Sequence, residues 1–237
     1  MLSELKTIKS LQKMPDGIFG SFMTRPVSHI VAYISYKLKL SPNFVSFLSF
    51  IFCTISIVLL IVLEHYCGKL AAAGAWWLAA ILDAADGDLA RFTKKASPFG
   101  GWFDSLLDRI KEFMIFSALG YIAFKEYNNE VYLALGILSV FSTVMSGWVS
   151  DTKKLFIQKR TVEVSLTKKY SLGMVDTRDF VVIVSLLLSE IRIALISYST
   201  IFVFVLLYQI LKFYYRFGIN KNNAIKYNNR LDDNDNV

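Results

Sequence analysis

The sequence is poor in the residues that build the commonest reactive or cross-linked sites: its 237 positions include two cysteines, Cys53 and Cys67, two histidines, His29 and His65, and four prolines. That is too few for a disulfide framework or a zinc cluster, so any metal here must lean on carboxylates. Charge is scarce as well, at 19% of residues, which excludes a disordered chain and a coiled coil, and no collagen repeat is present. What is plentiful is apolar: 54% of residues are hydrophobic, 15% are aromatic, and the mean hydropathy is +0.45. Water is not the main solvent of such a chain.

Two uncharged runs, Phe44 to Leu63 and Val131 to Ser150, hold 20 residues each, and a third, Ile193 to Leu211, holds 19. At about 1.5 Å per residue each crosses the roughly 30 Å hydrocarbon core of a bilayer. Three shorter runs, Leu70 to Leu82, Phe113 to Phe124 and Phe180 to Ser189, reach that length only if their helices continue. The first would continue through Asp83 to Arg91, the second back from Phe113 to Gly101, and the third back to Asp176, with a hairpin at Ser189-Glu190-Ile191-Arg192. The expected fold is therefore all-α and integral to the membrane, with six transmembrane helices over residues 41–216.

Six spans place both termini on one side. That side would hold 23 of the 26 Lys and Arg residues, leaving only Lys69, Lys125 and Arg192 opposite. The basic side is cytoplasmic by the positive-inside rule, and an odd number of spans would mix the two populations. The net charge of +7 is read as topology and contact with anionic lipid, not as nucleic acid binding.

Lys6, Lys9 and Lys13 are followed by no apolar signal segment. Instead Ile18, Phe19, Phe22, Met23, Val27, Ile30, Val31 and Ile34 recur at three and four, forming one helical stripe with Arg25, Ser28 and His29 elsewhere on the wheel. Pro26 should kink or split this helix, and an interfacial position on the cytoplasmic leaflet, within residues 1–40, is expected. The Asn- and Asp-rich tail, 217–237, reads as a solvated, poorly ordered end.

The informative stretch is Asp83-Ala84-Ala85-Asp86-Gly87-Asp88-Leu89-Ala90-Arg91, then Gly100, Asp104 and Asp108. Asp83 and Asp86 share one helix face, as do Asp104 and Asp108. If the turn from Phe92 to Phe99, broken at Pro98, folds these helices antiparallel, the pairs face each other. Four carboxylates converging at low dielectric repel strongly, and one or two hard divalent cations are the usual remedy. Asp88 fits a plainer role as a helix-end charge at the interface. Gly87 and Ala90 leave room for a ligand, or merely for helix packing, and Arg91 is placed to meet a phosphate.

The segment from Asp83 to Asp108 reads D-x2-D-G-x2-A-R-x8-G-x3-D-x3-D and resembles the full signature of the CDP-alcohol phosphotransferases, also called CDP-alcohol phosphatidyltransferases. Ser41-Pro42-Asn43-Phe44-Val45-Ser46 is similar to a second element of that family, with Ser46 in place of Thr. The resemblance implies two divalent ions, Mg²⁺ or Mn²⁺, held by Asp83, Asp86, Asp104 and Asp108. It places Gly87, Ala90 and Arg91 around the cytidine and its phosphates, and Asn43 and Ser46 near the diphosphate or a metal-bound water. Asp108 is then the catalytic base toward the attacking alcohol, CMP leaves, and the enzyme works as a homodimer among membrane lipids.

Asp16-Gly17-Ile18-Phe19 and Thr24-Arg25-Pro26-Val27-Ser28 resemble, more weakly, the branch that makes di-myo-inositol phosphate phosphate and its archaeal phosphoinositide-synthesising relatives. The donor is then CDP-inositol, or a lipid such as CDP-diacylglycerol or CDP-archaeol, and the acceptor an alcohol or an inositol phosphate. About 40 residues precede the first span, too few for the cytidylyltransferase of the fused relatives, so another protein is expected to make any CDP-inositol. Arg178, at a helix start beside the cluster, is the candidate for an acceptor phosphate, whereas Lys153, Lys154, Lys159, Arg160, Lys168 and Lys169 read more simply as topogenic charge. The rival class is a cation- or proton-coupled transporter, but such proteins usually show duplicated halves or helices broken at mid-depth. A plain structural membrane protein leaves the four aspartates without a purpose.

Overall fold

The computed structural model describes residues 2–12, 16–156, 164–165, 170–172 and 174–215. Three helices come first, α1 (Leu2–Ser10), α2 (Ile18–Met23) and α3 (Arg25–Lys37). The bundle follows: α4 (Pro42–Val62), α5 (Tyr66–Phe92), α6 (Pro98–Tyr127), α7 (Val131–Phe156), α8 (Met174–Leu187) and α9 (Ile191–Tyr214). The all-α expectation needs one amendment, a small ribbon of β1 (Asp16–Gly17), β2 (Val164–Ser165) and β3 (Tyr170–Leu172) in the order β1-β3-β2. Asp16 lies opposite Tyr170 in the parallel pair and Val164 opposite Leu172 in the antiparallel one, tying the chain before α2 to the chain before α8. Strands of two or three residues carry no readable alternation, so the sequence held no sign of them.

Three of the described helices are long and apolar enough to cross a membrane, 42–62, 131–149 and 191–214, and they coincide with the three long uncharged runs. Helices α5 and α6 have 27 and 30 residues but carry the acidic residues at one end, and α8 has 14. Both α4 and α6 start on the same device. Pro42 and Pro98 occupy first-turn positions that need no N–H, while the Ser41 and Ser97 hydroxyls accept from Phe44 N at 3.2 Å and Gly100 N at 3.0 Å. Lys94 and Asn128, at φ 56° and 48°, end α5 and α6 in left-handed turns.

Helix α5 packs against α3, α4 and α8, and α6 against α4, α7 and α9. The α4–α5 seam is tied by serines whose hydroxyls donate across it, Ser49 to Ala79 O at 2.9 Å and Ser56 to Ala72 O at 2.7 Å. Phe116, Tyr198 and Phe202 stack in the core, with ring centroids 4.1 and 3.8 Å apart. At the end formed by the starts of α5 and α9, the three basic residues left out of the basic side are all ion-paired: Lys69 with Glu126, Lys125 with Glu64, and Arg192 with Glu190.

The N-terminal stripe lies on two helices, interrupted at Thr24 beside Pro26. The face of α3 turned inward is small and polar, with Ser28, His29, Ala32 and Ser35 buried, while Phe22, Ile30 and Ile34 of the apolar stripe are exposed.

Helices α6 and α7 touch closely where a Cβ added to Gly120 or Gly136 would meet the other's Cα at 3.0 Å. Gly136→Leu should therefore cost about 1–3 kcal/mol by overpacking, read as a lower thermal unfolding midpoint in detergent. Gly74→Ala, whose Cβ would meet nothing within 4 Å, should be neutral or slightly stabilising.

Candidate active site

The starts of α4, α6 and α8 and the end of α5 converge at one end of the bundle. One turn of α5 carries Asp83 and Asp86, and the first turns of α6 carry Asp104 and Asp108. Carboxylate oxygens of Asp83, Asp86 and Asp104 all lie within 4.8 Å of one another. Asp86 is only 6% exposed, and its Oδ2 has no hydrogen-bond partner among the described residues. A buried carboxylate oxygen left without a partner beside two further carboxylates is costly unless a cation joins them. The all-oxygen donor set suits a hard divalent ion such as Mg²⁺ or Mn²⁺.

The α4 element sits over this group. The Ser46 hydroxyl donates to Pro42 O at 3.2 Å and lies within hydrogen-bonding reach of Asp86. Asn43 lies against Gly100: a Cβ there would stand 3.2 Å from both Asn43 Oδ1 and Ser97 Oγ. Gly87 has a local explanation too, because the Arg91 guanidinium folds back over it, 3.4 Å from where a Cβ would be. Ala90 is half-buried on the same turn.

Asp108 stands apart from the three-acid group and is joined to it by a cation. The Lys111 ammonium forms ion pairs with Asp83 across the helix gap and with Asp108 one turn back on α6, the latter at 2.9 Å. Arg178 Nη1 lies 3.9 Å from Asp108 and 3.2 Å from Glu112, and its Nε donates to Asp179 at 2.9 Å. Asp179 also accepts from Trp76 Nε1 at 3.1 Å. Arg109 pairs with Glu112 at 2.6 Å and donates to Thr143 O at 3.2 Å, in space that a side chain on Gly147 would take. Arg178 thus lies beside Asp108 in the company of three carboxylates, Asp108, Glu112 and Asp179.

Asp88 departs most from its expected role. It is not a solvated helix-end charge but a buried hub: Arg25 Nη1 donates to both its oxygens at 3.2 and 3.1 Å, Arg91 Nη2 donates at 2.6 Å, and His29 Nε2 lies 3.7 Å away. Asp88 points away from the other acids toward α3, where a buried carboxylate must find cations, and Arg25 and His29, one turn apart, supply them. Arg91 is held by this hub against Gly87.

Lys111, Glu112, Asp179, Arg25 and His29 were not singled out in the sequence as site residues. The signal for Lys111 and Glu112 was available, since they follow Asp108 by three and four on one helix face. Asp179 adjoins Arg178 in the chain and bonds to it directly, whereas Arg25 and His29 are brought in by tertiary packing alone. Lys159, Arg160, Lys168, Lys169 and the tail 217–237 lie outside the described residues, as do the side chains of Lys153 and Lys154.

The family model for CDP-alcohol phosphatidyltransferases matches residues 39–214, which contain the three-acid group, Asp108, Lys111 and Arg178. Three curated proteins, each named bifunctional IPC transferase and DIPP synthase, are similar. That of Thermococcus kodakarensis is 28% identical over 173 residues, covering 73% of this chain and 38% of the relative. That of Archaeoglobus fulgidus is 26% identical over 188 residues, covering 79% and 36%, and that of Aquifex aeolicus is 25% identical over 184 residues, covering 77% and 41%. The chain thus spans about two fifths of the length of these relatives.

Removing Asp88 should take from Arg25, His29 and Arg91 the buried carboxylate that they share. Asp88→Ala is expected to cost about 3–5 kcal/mol, the range for breaking a buried ion pair on one side. Thermal unfolding in detergent measures this, and Asp88→Asn, which keeps a hydrogen-bond acceptor, should cost less.

Proposed function

The chain belongs to the CDP-alcohol phosphatidyltransferase family, and on that premise we propose that it moves a phospho-alcohol group from a CDP-alcohol to the hydroxyl of a second alcohol, releasing CMP. The observation that carries this reading is the group formed by Asp83, Asp86 and Asp104 with the unpartnered Asp86 oxygen, next to Asp108 and two buried cations. Phosphoryl transfer asks a protein mainly for placement and for neutralisation of a crowded anion. A divalent metal on the three aspartates would screen the diphosphate and the charge that develops on leaving CMP.

In this reaction a bond forms between the acceptor oxygen and the β-phosphorus, the bond from that phosphorus to the CMP oxygen breaks, and the acceptor's proton passes to Asp108. Lys111 and Arg178 flank Asp108 and hold its carboxylate in place to receive it. Arg91, aimed by Asp88, meets the nucleotide phosphates. Asn43 and Ser46 line the α4 side of the same space. The acceptor we favour carries a phosphate, as an inositol phosphate does. Arg178 offers it a planar guanidinium beside Asp108, and the donor is CDP-inositol or a CDP-linked lipid.

In the membrane α5, α6 and α8 join the three apolar helices as spans, giving six, with both termini and the acidic end on the cytoplasmic side. Two features support this: the pairing of Lys69, Lys125 and Arg192 at the opposite end, and the outward apolar face of α2 and α3, which suits the leaflet surface.

Purified protein given Mg²⁺, a CDP-alcohol and an acceptor should release CMP, stop in excess chelator, and resume when Mg²⁺ or Mn²⁺ returns. Undiminished turnover after the metal has been stripped would contradict the metal centre, and ion flux without CMP would favour a transporter. Asp108→Asn should keep CDP-alcohol binding yet lose roughly 100- to 10,000-fold in kcat, the usual weight of a general base. Arg178→Lys should lower kcat/KM for a phosphorylated acceptor by about tenfold or more and affect an unphosphorylated one less, because a lysine cannot reproduce bidentate phosphate contact. An equal loss with both acceptors would make Arg178 structural.

A further inference from the structure

Lys111 is the one described residue that bonds to acids of both helices in the centre. It is 4% exposed, follows Asp108 by three positions, and pairs with that residue at 2.9 Å while also pairing with Asp83 on α5. We propose that the Lys111 ammonium is the second cation of the site: Asp83, Asp86 and Asp104 take one divalent ion, and Lys111 links Asp83 to Asp108, the task a second ion would otherwise perform. This rests on the metal-centre reading above and refines it, since the resemblance to the family implies two ions.

Three observations support the assignment. The lysine is built into α6, so its reach to Asp108 is fixed by the helix and does not depend on the inter-helix gap. It is buried, and a second divalent ion between Asp83 and Asp108 would have to displace a buried ammonium that would then have no anion of its own, which is strongly unfavourable. Arg178 Nη1 lies 3.9 Å from the same Asp108 carboxylate, so an incoming ion would meet two fixed positive charges there. Asp86 and Asp104, by contrast, have no basic partner within ion-pairing distance among the described residues; Asp86 Oδ2 and Asp108 Oδ1 both lack a well-aligned hydrogen bond there, but Asp108 Oδ1 faces two fixed cations and Asp86 Oδ2 none. The cation demand of the centre is thus unequal, unmet at Asp86 and Asp104 and already met at Asp108.

The test counts ions directly. The full chain, purified in detergent and stripped of metal, is titrated with Mn²⁺, with and without CDP-glycerol. Bound ions are counted by electron paramagnetic resonance, which also separates an isolated Mn²⁺ from a spin-coupled pair. Wild type should bind one isolated Mn²⁺ in both conditions, Lys111→Arg should also bind one, and Lys111→Gln should gain a second ion coupled to the first. A coupled pair in wild type, or a single ion in Lys111→Gln, would overturn the proposal. If Lys111→Gln does not fold, the wild-type count and Lys111→Arg still decide it. Failure to bind any Mn²⁺ would overturn the metal centre as well, and is told apart from failure of the Lys111 assignment alone because that failure leaves at least one ion bound.

Discussion

Carboxylates crowded at the ends of two helices in a medium of low dielectric must be matched by positive charge, and the arrangement of this protein's polar end follows from that demand. Asp83 and Asp108 are matched by Lys111, Asp108 and Glu112 by Arg178 and Arg109, and Asp88 by Arg25 and Arg91. Asp86 and Asp104 have no basic side chain within ion-pairing distance among the described residues, and a cation from outside the chain could match them. Helices α5 and α6 meet at this end through charged side chains. Their apolar lengths instead pack on α4, α7, α8 and α9.

Helix α5 carries two charge centres back to back. One face presents Asp83 and Asp86 to α6, while Asp88 turns to α3 and engages the N-terminal segment. Arg91 belongs to the second centre but lies over Gly87 on the way to the first, so the packing of α3 on α5 bears on how a nucleotide phosphate would be met. This gives the polar inner face of α3 its purpose, while Ile30 and Ile34 on the other side of the helix are exposed.

Much of this was legible in the sequence, for reasons of period and charge. The three apolar runs became α4, α7 and α9. The helix α5 does continue through Asp83 to Arg91, with Gly87 inside it, while α6 begins at Pro98, three residues before the expected Gly101, because proline is accepted in a first helical turn. The three-acid group followed from spacings of three and four on facing helices. What could not be read was the partner of each charge. Asp88 read as a helix-end charge at the interface because two of its three basic neighbours, Arg25 and His29, lie some sixty positions earlier on another helix, and Lys111 went unread because its reach to Asp83 appears only when α5 and α6 are brought together. The β1-β3-β2 ribbon escaped for a different reason, since backbone pairing over two residues leaves no pattern in side chains.

The central claim is that Asp83, Asp86 and Asp104 form a divalent metal centre, and locating the metal tests it most directly. Crystals of the full chain grown with Mn²⁺ and measured at the manganese absorption edge should give an anomalous peak within coordination distance of all three carboxylates. A protein that turns over CDP-alcohol while its anomalous map is empty there, or whose only peak lies on other residues, would contradict the account.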